Sequence, residues 1–432
     1  MFLLTRNLFF ILTLGLVPTA SVSESLKDAV AKSIFESPRV SMRQYDLRMN
    51  EEILYARKAA RLPLVELSAD ADTTNPIGNS GTGGANSEYG MKLELVLKKN
   101  IYDGRLHENK IAEQQAHLSS DIYKIRAERE SIALEVSQKY LEVLKNKQIY
   151  KMTVDFHKEA IEMHQEGKAR LEAGITSSIE YDRISLRLAK IEENYHAALN
   201  NYLVTKAEYK AFTGTTPDPI QPNPISLEIL PKSYDIAVQT ALKKHPTRFI
   251  CNYKIQEARA QYEGSLSIAR PKVDLSLNAN IGNNVNLYGN TNRELGAKIT
   301  ATWTLFNGNK TKYLSSANKF NLQKVQASCD QNLRDIEISL NLSWTAFQTL
   351  LKKVAAIEDQ VKSAERLEPI IKKRYEANLS SLEELFQAKI DIFEAKRDLV
   401  ICNYNFQGTE YRLLQGTGEL LDYFNFKKLP SL

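Results

Sequence analysis

Four segments of the chain alternate apolar and polar residues, and Val96 is the one apolar residue that stands at a polar position. They run from 65 to 72, from 91 to 98, from 273 to 281 and from 297 to 305. A period of two predicts β-strands with one apolar and one polar face. The two strands of each pair are separated by a polar, glycine-rich loop, at 75–87 and at 282–293.

Two kinds of sheet fit this alternation. One is the wall of an outer-membrane barrel, since about 10 residues let a tilted strand cross a bilayer and such barrels carry long polar loops on one side. The other is an ordinary half-buried sheet packed on helices. The pattern alone leaves both open, but four strands cannot close a barrel, so the barrel requires several chains.

Two stretches are predicted to be helices far longer than the average of about 11–12 residues. The first, 105–173, contains no proline and one glycine, Gly167, and would be roughly 100 Å long. The second, 309–377, is interrupted only by Pro369, which predicts a kink near its far end. Its apolar residues recur mostly at spacings of three and four, which indicates a coiled-coil seam. They include Val325, Cys329, Leu333, Ile336, Leu340, Phe347, Leu350, Val354, Ile357 and Val361.

Each long helix is predicted to end in a turn and to be followed by another helix. Gly174 and Asn378 stand at the two ends, and both residue types readily adopt the left-handed conformation that terminates a helix. Polar residues that can cap the next helix follow. They are Thr176, Ser177, Ser380 and Ser381. Glu180 and Glu384 come next, near the positive end of that helix, where a carboxylate is favourable.

The same order of elements occurs twice, which indicates a tandem duplication. Residues 26–38 resemble residues 234–246 at an offset of 208, and residues 170–174 resemble residues 374–378 at an offset of 204. We therefore divide the chain into five segments. They are a signal peptide at 1–23, a first repeat at 24–214, a Pro-rich linker at 215–232, a second repeat at 233–416 and a C-terminal tail at 417–432.

The N-terminus has the features of a secretory signal peptide. Arg6 precedes a short apolar run, Leu8 to Val17, and small residues follow it. The alternative, a membrane anchor, fits less well because the run is about half of the roughly 20 residues that a spanning helix needs. The protein is therefore expected to be exported.

Composition points away from catalysis and from nucleic acid. The net charge is only +5, without a basic tail. The six histidines are not spaced like metal ligands, and no phosphate-binding glycine loop or nucleophile elbow is found. The three cysteines are scattered and odd in number, so they do not indicate a disulfide framework, and Cys329 is expected to be buried. We predict no enzyme, no cofactor and no metal site.

A duplicated chain with two strand pairs and two very long helical hairpins resembles the TolC-like outer-membrane efflux and secretion family. The resemblance implies a mainly α fold with a small β part. Each repeat would contribute a long helical hairpin to an α-barrel, and the four strands would join a 12-stranded trimeric β-barrel in the outer-membrane lipid. The resemblance also implies a homotrimer whose helical tunnel lies in the periplasm and meets a periplasmic adaptor and an inner-membrane pump.

By position, the resemblance assigns roles to residues of the two turns. Those expected to contact an adaptor are Gly174, Ile175, Thr176, Asn378, Leu379 and Ser380; those expected to gate the aperture are Glu180, Glu384 and Tyr375. The sequence departs from the family at Asn378, where glycine is usual, at Ser380, where some members have a gating arginine, and at Gln387, where a second acid is expected. Trp303 and Phe306 suit either an interfacial aromatic girdle or core packing.

The function implied is passive exit for substrates that a pump delivers, in drug efflux or in type I protein secretion. The alternative is a periplasmic adaptor or a coiled-coil scaffold, which also carries long hairpins. An adaptor usually has one hairpin between β-rich domains, whereas this chain has two. The sequence identifies neither the cargo nor the pump.

Overall fold

The computed structural model describes residues 25–74, 88–215, 225, 229–285 and 290–426. The predicted signal peptide, most of the Pro-rich linker, the whole of the first predicted strand loop (75–87) and residues 286–289 of the second lie outside the described residues.

The elements repeat in order and in length. The first set is α1 (Leu26–Glu36), α2 (Pro38–Ala59), β1 (Leu64–Thr74), β2 (Glu88–Tyr102), α3 (Leu106–Glu172) and α4 (Ser178–Thr213). The second is α5 (Tyr234–Lys244), α6 (Pro246–Ser267), β3 (Lys272–Val285), β4 (Asn290–Thr302), α7 (Lys310–Glu376) and α8 (Leu382–Thr417), followed by α9 (Leu420–Tyr423). Corresponding helices have 11, 22, 67 and 36 residues in both sets. The predicted duplication and long hairpins are confirmed.

The chain divides into two compact units. The strand unit comprises the described parts of Ile34–Ile132, Leu230–Thr345 and Arg412–Leu432. The tip unit comprises the described parts of Met1–Ser33, Ala133–Ile229 and Ala346–Tyr411. The strand unit contains the whole sheet, and the tip unit contains both turns between the long helices and their partners.

The strand unit contains one antiparallel sheet with the order β1-β2-β3-β4. Its register brings the apolar positions of all four strands side by side on one face. One such row is Leu67, Leu95, Ala279 and Leu295. The side chain of Leu295 is 87% exposed, so nothing within the described residues covers this face there.

The opposite face of the sheet is polar. The neighbouring row is Ser68, Glu94, Asn280 and Glu294, and ion pairs on the sheet join Lys92 to Glu94 and Lys98 to Glu66. The predicted strands are confirmed, and they have between 11 and 15 residues. The predicted loop 282–293 is corrected, because β3 continues to Val285 and β4 already begins at Asn290.

The fourth strand ends earlier than the predicted residue 305. β4 ends at Thr302 because its partner β3 begins at Lys272, directly opposite. The segment from Trp303 to Leu305 therefore lies beyond the ladder. Trp303 and Phe306 are both exposed, so neither is packed in a core formed by the described residues. The indole of Trp303 donates to the carbonyl of Ala269 at 3.1 Å.

The tip unit is held together by an apolar cluster drawn from α3, α4, α7 and α8. Its fully buried members include Ala160, Ile184 and Phe386, and the rings of Phe156 and Phe393 stack at 4.6 Å. Pairing of apolar faces is what stabilises helices of this length, since propensity alone contributes little. Both repeats supply residues to this core.

Pro369 lies inside α7, and the helix continues past it to Glu376. Among the described residues, no helix is both long enough and apolar enough to span a membrane.

Candidate functional site

The first turn, between α3 and α4, is closed by a left-handed glycine. Gly174 has φ 71°, its N–H donates to the carbonyl of Leu171 at 2.9 Å, and the N–H of Ile175 donates to that of Arg170 at 2.9 Å. This pair of bonds satisfies the last carbonyls of α3 in the Schellman arrangement.

The second turn, between α7 and α8, repeats this geometry with asparagine. Asn378 has φ 57°, its N–H donates to the carbonyl of Tyr375 at 2.9 Å, and the N–H of Leu379 donates to that of Arg374 at 2.8 Å. Asparagine tolerates the left-handed region at modest cost, so the departure from glycine at this position does not change the turn.

An apolar residue projects at the same place in both turns. Ile175 is 64% exposed and Leu379 is 70% exposed. The residue after a left-handed helix end commonly packs back onto the last helical turn, yet both of these side chains remain largely uncovered. Each turn therefore presents an aliphatic group to its surroundings.

The serine caps are confirmed, and the residues before them have a different role. Ser177 and Ser381 accept the N–H groups of Glu180 and Glu384 at 3.2 and 3.1 Å. The hydroxyl of Thr176 donates to the Glu180 carboxylate at 2.5 Å. In the second turn the hydroxyl of Ser380 donates to the Glu384 carboxylate in the same way. Both acids are thus held within their own turns.

Tyr375 connects the two hairpins. It lies on α7, and its hydroxyl donates to the carboxylate of Glu166 on α3. The Arg170 guanidinium, one turn along α3, donates to the same hydroxyl at 2.8 Å and lies 5.0 Å from the centre of the ring. The pKa of Tyr375 is raised to about 12, first by burial and then by the hydrogen bond and negative charge of Glu166. Arg170 partly opposes this rise. The phenol therefore stays protonated and keeps its donor.

A second polar connection joins α4 to α8. Arg187 bonds the Glu383 carboxylate at 2.9 Å and donates to the side-chain oxygen of Gln387. Arg183 approaches the same carboxylate at 3.1 Å. The hydrogen bond from Arg187, followed by that from Arg183 and both charges, holds the pKa of Glu383 below its usual range. Gln387 was noted above only because it departs from the family pattern. Its side-chain oxygen accepts a hydrogen bond from Arg187 of the first repeat.

A third connection is centred on Lys389 of α8. Its ammonium contacts the carboxylate of Glu159 on α3 and lies 3.4 Å from that of Glu368 on α7. Burial opposes the positive charge, but the hydrogen bonds and charges of the two acids outweigh it and raise the pKa of Lys389. All three connections bridge the repeats within the tip unit.

Of the three residues predicted to gate the aperture, only Tyr375 contacts the other hairpin through the bonds described. Tyr375 bonds the other hairpin, whereas the bonds described for Glu180 and Glu384 stay inside their own turns. The partners Glu166, Arg170, Arg187 and Lys389 were not foreseen. The only sequence signal for these four residues was their charge. It was weak, because charged residues on a polar helix more often face solvent. Within the described residues, no group of three or more His, Cys, Asp or Glu side chains could hold a metal ion.

Comparison with known proteins identifies the architecture. The model of the outer membrane efflux protein family matches residues 238–419, which is nearly all of the second repeat. The solved structure of the Campylobacter jejuni CmeC outer membrane channel superposes with a TM-score of 0.81 at 14% identity, covering 91% of this chain and 86% of that one. The chain has a TolC-like fold.

Other relatives of this TolC-like chain agree. The structure of VceC from Vibrio cholerae gives a TM-score of 0.78 at 17% identity, over 91% of this chain and 96% of that one. The outer membrane efflux protein BepC of Brucella suis is 20% identical over 93% of this chain and 87% of its own length. CmeC is an outer membrane channel, VceC an outer membrane protein and BepC an outer membrane efflux protein, and together they support an outer-membrane efflux or secretion channel.

Proposed function

We propose that three copies of this TolC-like chain form one exit channel, with the sheet in the outer membrane and the helical hairpins in the periplasm. The observation that carries the proposal is the sheet. Its apolar face is continuous across four strands and exposed, as a lipid-facing wall must be.

The edges of the sheet support the trimer. Within the described residues, β1 and β4 each pair on one side only. An unpaired edge cannot be tolerated in lipid, where water does not satisfy backbone groups. Joining β4 of one copy to β1 of the next removes both edges, and three chains of four strands make a closed barrel of twelve.

The two turns contact a periplasmic adaptor. The residues concerned are Gly174, Ile175, Thr176, Asn378, Leu379 and Ser380. Exposed Ile175 and Leu379 supply apolar anchors, and a buried aliphatic group is the kind of side chain that contributes most to an interface. An inner-membrane pump supplies the energy, and passage through the channel itself is passive.

The polar connections around Tyr375, Glu383 and Lys389 hold the hairpins in a closed arrangement. Opening requires the hairpins to move apart, which breaks these bonds. Glu180 and Glu384 narrow the aperture and attract cations. The alternative of a periplasmic adaptor fits less well, because an adaptor does not need an exposed apolar sheet face.

The test is the location and mass of the native protein. Inner and outer membranes are separated, the protein is extracted in mild detergent, and the particle is weighed with the detergent subtracted. We expect an outer-membrane particle with about three times the mass of one chain. A monomer released without detergent contradicts the proposal and makes the sheet a soluble one.

A further inference from the structure

Two cysteines far apart in the sequence meet inside the strand unit. Cys251 on α6 and Cys329 on α7 are 4% and 3% exposed. The Cys329 thiol points at the carbonyl of Cys251, with a sulfur-to-oxygen distance of 3.6 Å, and the Asn332 amide lies 3.9 Å from the Cys251 sulfur. The scattered positions in the sequence did not indicate this contact.

The two thiols also affect each other electrostatically. The pKa of Cys329 is raised to about 12, first by burial and then by its hydrogen bond with the Cys251 side chain. The Cys329 sulfur lies 3.6 Å from the backbone carbonyl of Cys251 on the neighbouring helix, and a disulfide requires two cysteines that lie side by side in this way.

The pair is specific to the second repeat. At the offsets of 208 residues for α6 and 204 for α7, the corresponding residues of the first repeat are Arg43 and Ile125. Arg43 forms ion pairs with Asp46 and Glu128 instead. The repeated architecture therefore does not itself require cysteine at these positions.

We propose that Cys251 and Cys329 form a disulfide bond in the exported protein. The proposal rests on the outer-membrane location proposed above, since disulfides form and persist outside the cytosol. The oxidant is a carrier protein with an oxidised dithiol. One cysteine thiolate attacks the carrier disulfide and releases one carrier thiol; the second then attacks this mixed disulfide and releases the other. Two protein thiols are oxidised, and one carrier disulfide becomes two thiols.

This exchange takes place before the helices pack. A buried thiol with a raised pKa is a poor nucleophile, so the folded site would react slowly. Once the bond has formed, burial shields it from reductants. It then fastens α6 to α7 and closes a loop that contains β3 and β4, which stabilises the fold by restricting the unfolded chain.

The third cysteine provides an internal standard. All three cysteines are free thiols in the structure, but Cys402 is buried in the tip unit, whereas Cys251 and Cys329 belong to the strand unit. The chain has three cysteines in total, so one disulfide between Cys251 and Cys329 leaves a single thiol to react.

The experiment counts thiols on the full chain. Protein from the outer-membrane fraction is unfolded in urea with N-ethylmaleimide, and its mass is measured with and without prior reduction. We expect one maleimide before reduction and three after it. Cys402→Ser should carry none before reduction, and Cys251→Ser should carry two. A peptide pair joining residues 251 and 329 should appear only in the unreduced digest.

Three maleimides before reduction, on protein that does fractionate with the outer membrane, overturn the disulfide and leave the channel proposal standing. If the protein is found elsewhere, the channel proposal fails separately. The purified chain is then refolded from urea with oxidised glutathione. A 251–329 link under those conditions supports the pairing, and glutathione adducts on both cysteines overturn it.

Discussion

Arg170 and Tyr375 come from different halves of the duplicated chain and meet in two ways. The guanidinium donates to the phenol oxygen at 2.8 Å and also lies over the ring, 5.0 Å from its centre. At the offset of 204 residues, the counterpart of Tyr375 in the first repeat is Leu171. The contact is therefore not duplicated, and it distinguishes one hairpin from the other.

Replacing Tyr375 with phenylalanine tests whether this contact restrains opening. Tyr375→Phe keeps the ring but removes the bonds to Glu166 and Arg170. A hydrogen bond to a charged group contributes about 1.5–3 kcal/mol. If opening breaks it, the open-to-closed ratio should rise by about tenfold or more. Single-channel recording in a planar bilayer measures that ratio.

Tyr404→Phe is the matched control. The Tyr404 hydroxyl on α8 also bonds the first hairpin, at Gln148 of α3, at 3.1 Å, but it lies further along the helices from the turns. We expect a small effect on opening. An equal rise in both variants means that general loosening of the helices, and not the contact at Tyr375, is responsible.

The two acids at the turns should determine how strongly divalent cations block the channel. Glu180→Gln and Glu384→Gln remove the charges, while the caps from Ser177 and Ser381 to the backbone remain. The double variant should need roughly tenfold more divalent cation for half-block, which corresponds to about 1.4 kcal/mol of lost attraction. Glu172→Gln makes the same change of charge on an exposed residue near the first turn and should leave block unaltered. Unchanged block in the double variant removes the gate role.

The sequence predicted the long helices to within a residue at each end. Prediction gave 105–173 for the first, and the structure gives Leu106–Glu172. Local chemistry is sufficient here, because Gly174 supplies the left-handed end and no proline interrupts the helix. The serine caps at 177 and 381 were predictable for the same reason. Each feature depends only on residues a few positions apart.

The polar connections between hairpins were not predictable. Arg170 and Tyr375 are 205 residues apart, and their contact depends on how two helices pack. A periodic pattern gives the apolar face of a helix but not its partner or its register along that partner.

The C-terminal segment was also not predicted to be buried. It was treated as a tail, yet Leu420 and Leu421 are buried, and the two adjacent leucines were a usable signal.

Gly418 should tolerate substitution far less well than Gly214. Both have left-handed φ angles, 75° and 74°. A Cβ at 418 would lie 2.8 Å from the Cα of His245, whereas a Cβ at 214 would meet nothing within 4 Å. Gly214→Ala should cost about 1 kcal/mol through backbone strain alone. Gly418→Ala should cost about 1–3 kcal/mol more through overpacking. Urea unfolding measures both, and equal losses would show that the contact with His245 relaxes freely.

Glu130 should make stability fall as pH rises. Its side chain is buried on α3, and burial raises its pKa to about 8 against smaller opposing effects of Arg126 and the backbone of Leu421. Between its unfolded pKa near 4.5 and about 8, the folded state binds more protons, so the free energy of unfolding decreases with pH in that window. The full effect is on the order of a few kcal/mol.

Other buried groups also contribute to the pH dependence of stability. The prediction therefore concerns the difference between the wild type and the Glu130→Gln variant. Burial and Arg126 lower the pKa of His245 to about 4, which makes stability rise with pH up to about 6.5. Burial raises the pKa of Glu410 to about 7, which acts in the same direction as Glu130. Glu130→Gln should therefore lose less stability than the wild type between pH 7 and 8 in urea unfolding. Parallel slopes in that interval would mean that Glu130 is already ionised.

Arginine substitutions at two neighbouring residues of β2 test whether the apolar face of the sheet contacts lipid. Leu95 and Val96 are neighbours near the middle of β2 and point to opposite faces. Leu95 lies between Leu67 and Ala279 on the apolar face, whereas Val96 lies between Glu66 and Asn278. An arginine on the lipid side of a barrel costs about 2–4 kcal/mol near the bilayer midplane, so Leu95→Arg should reduce the amount of assembled protein in the outer membrane. Val96→Arg introduces the same group beside a carboxylate and water and should assemble normally. Failure of both variants would indicate a soluble sheet covered on both faces, and tolerance of both would show that neither face contacts lipid.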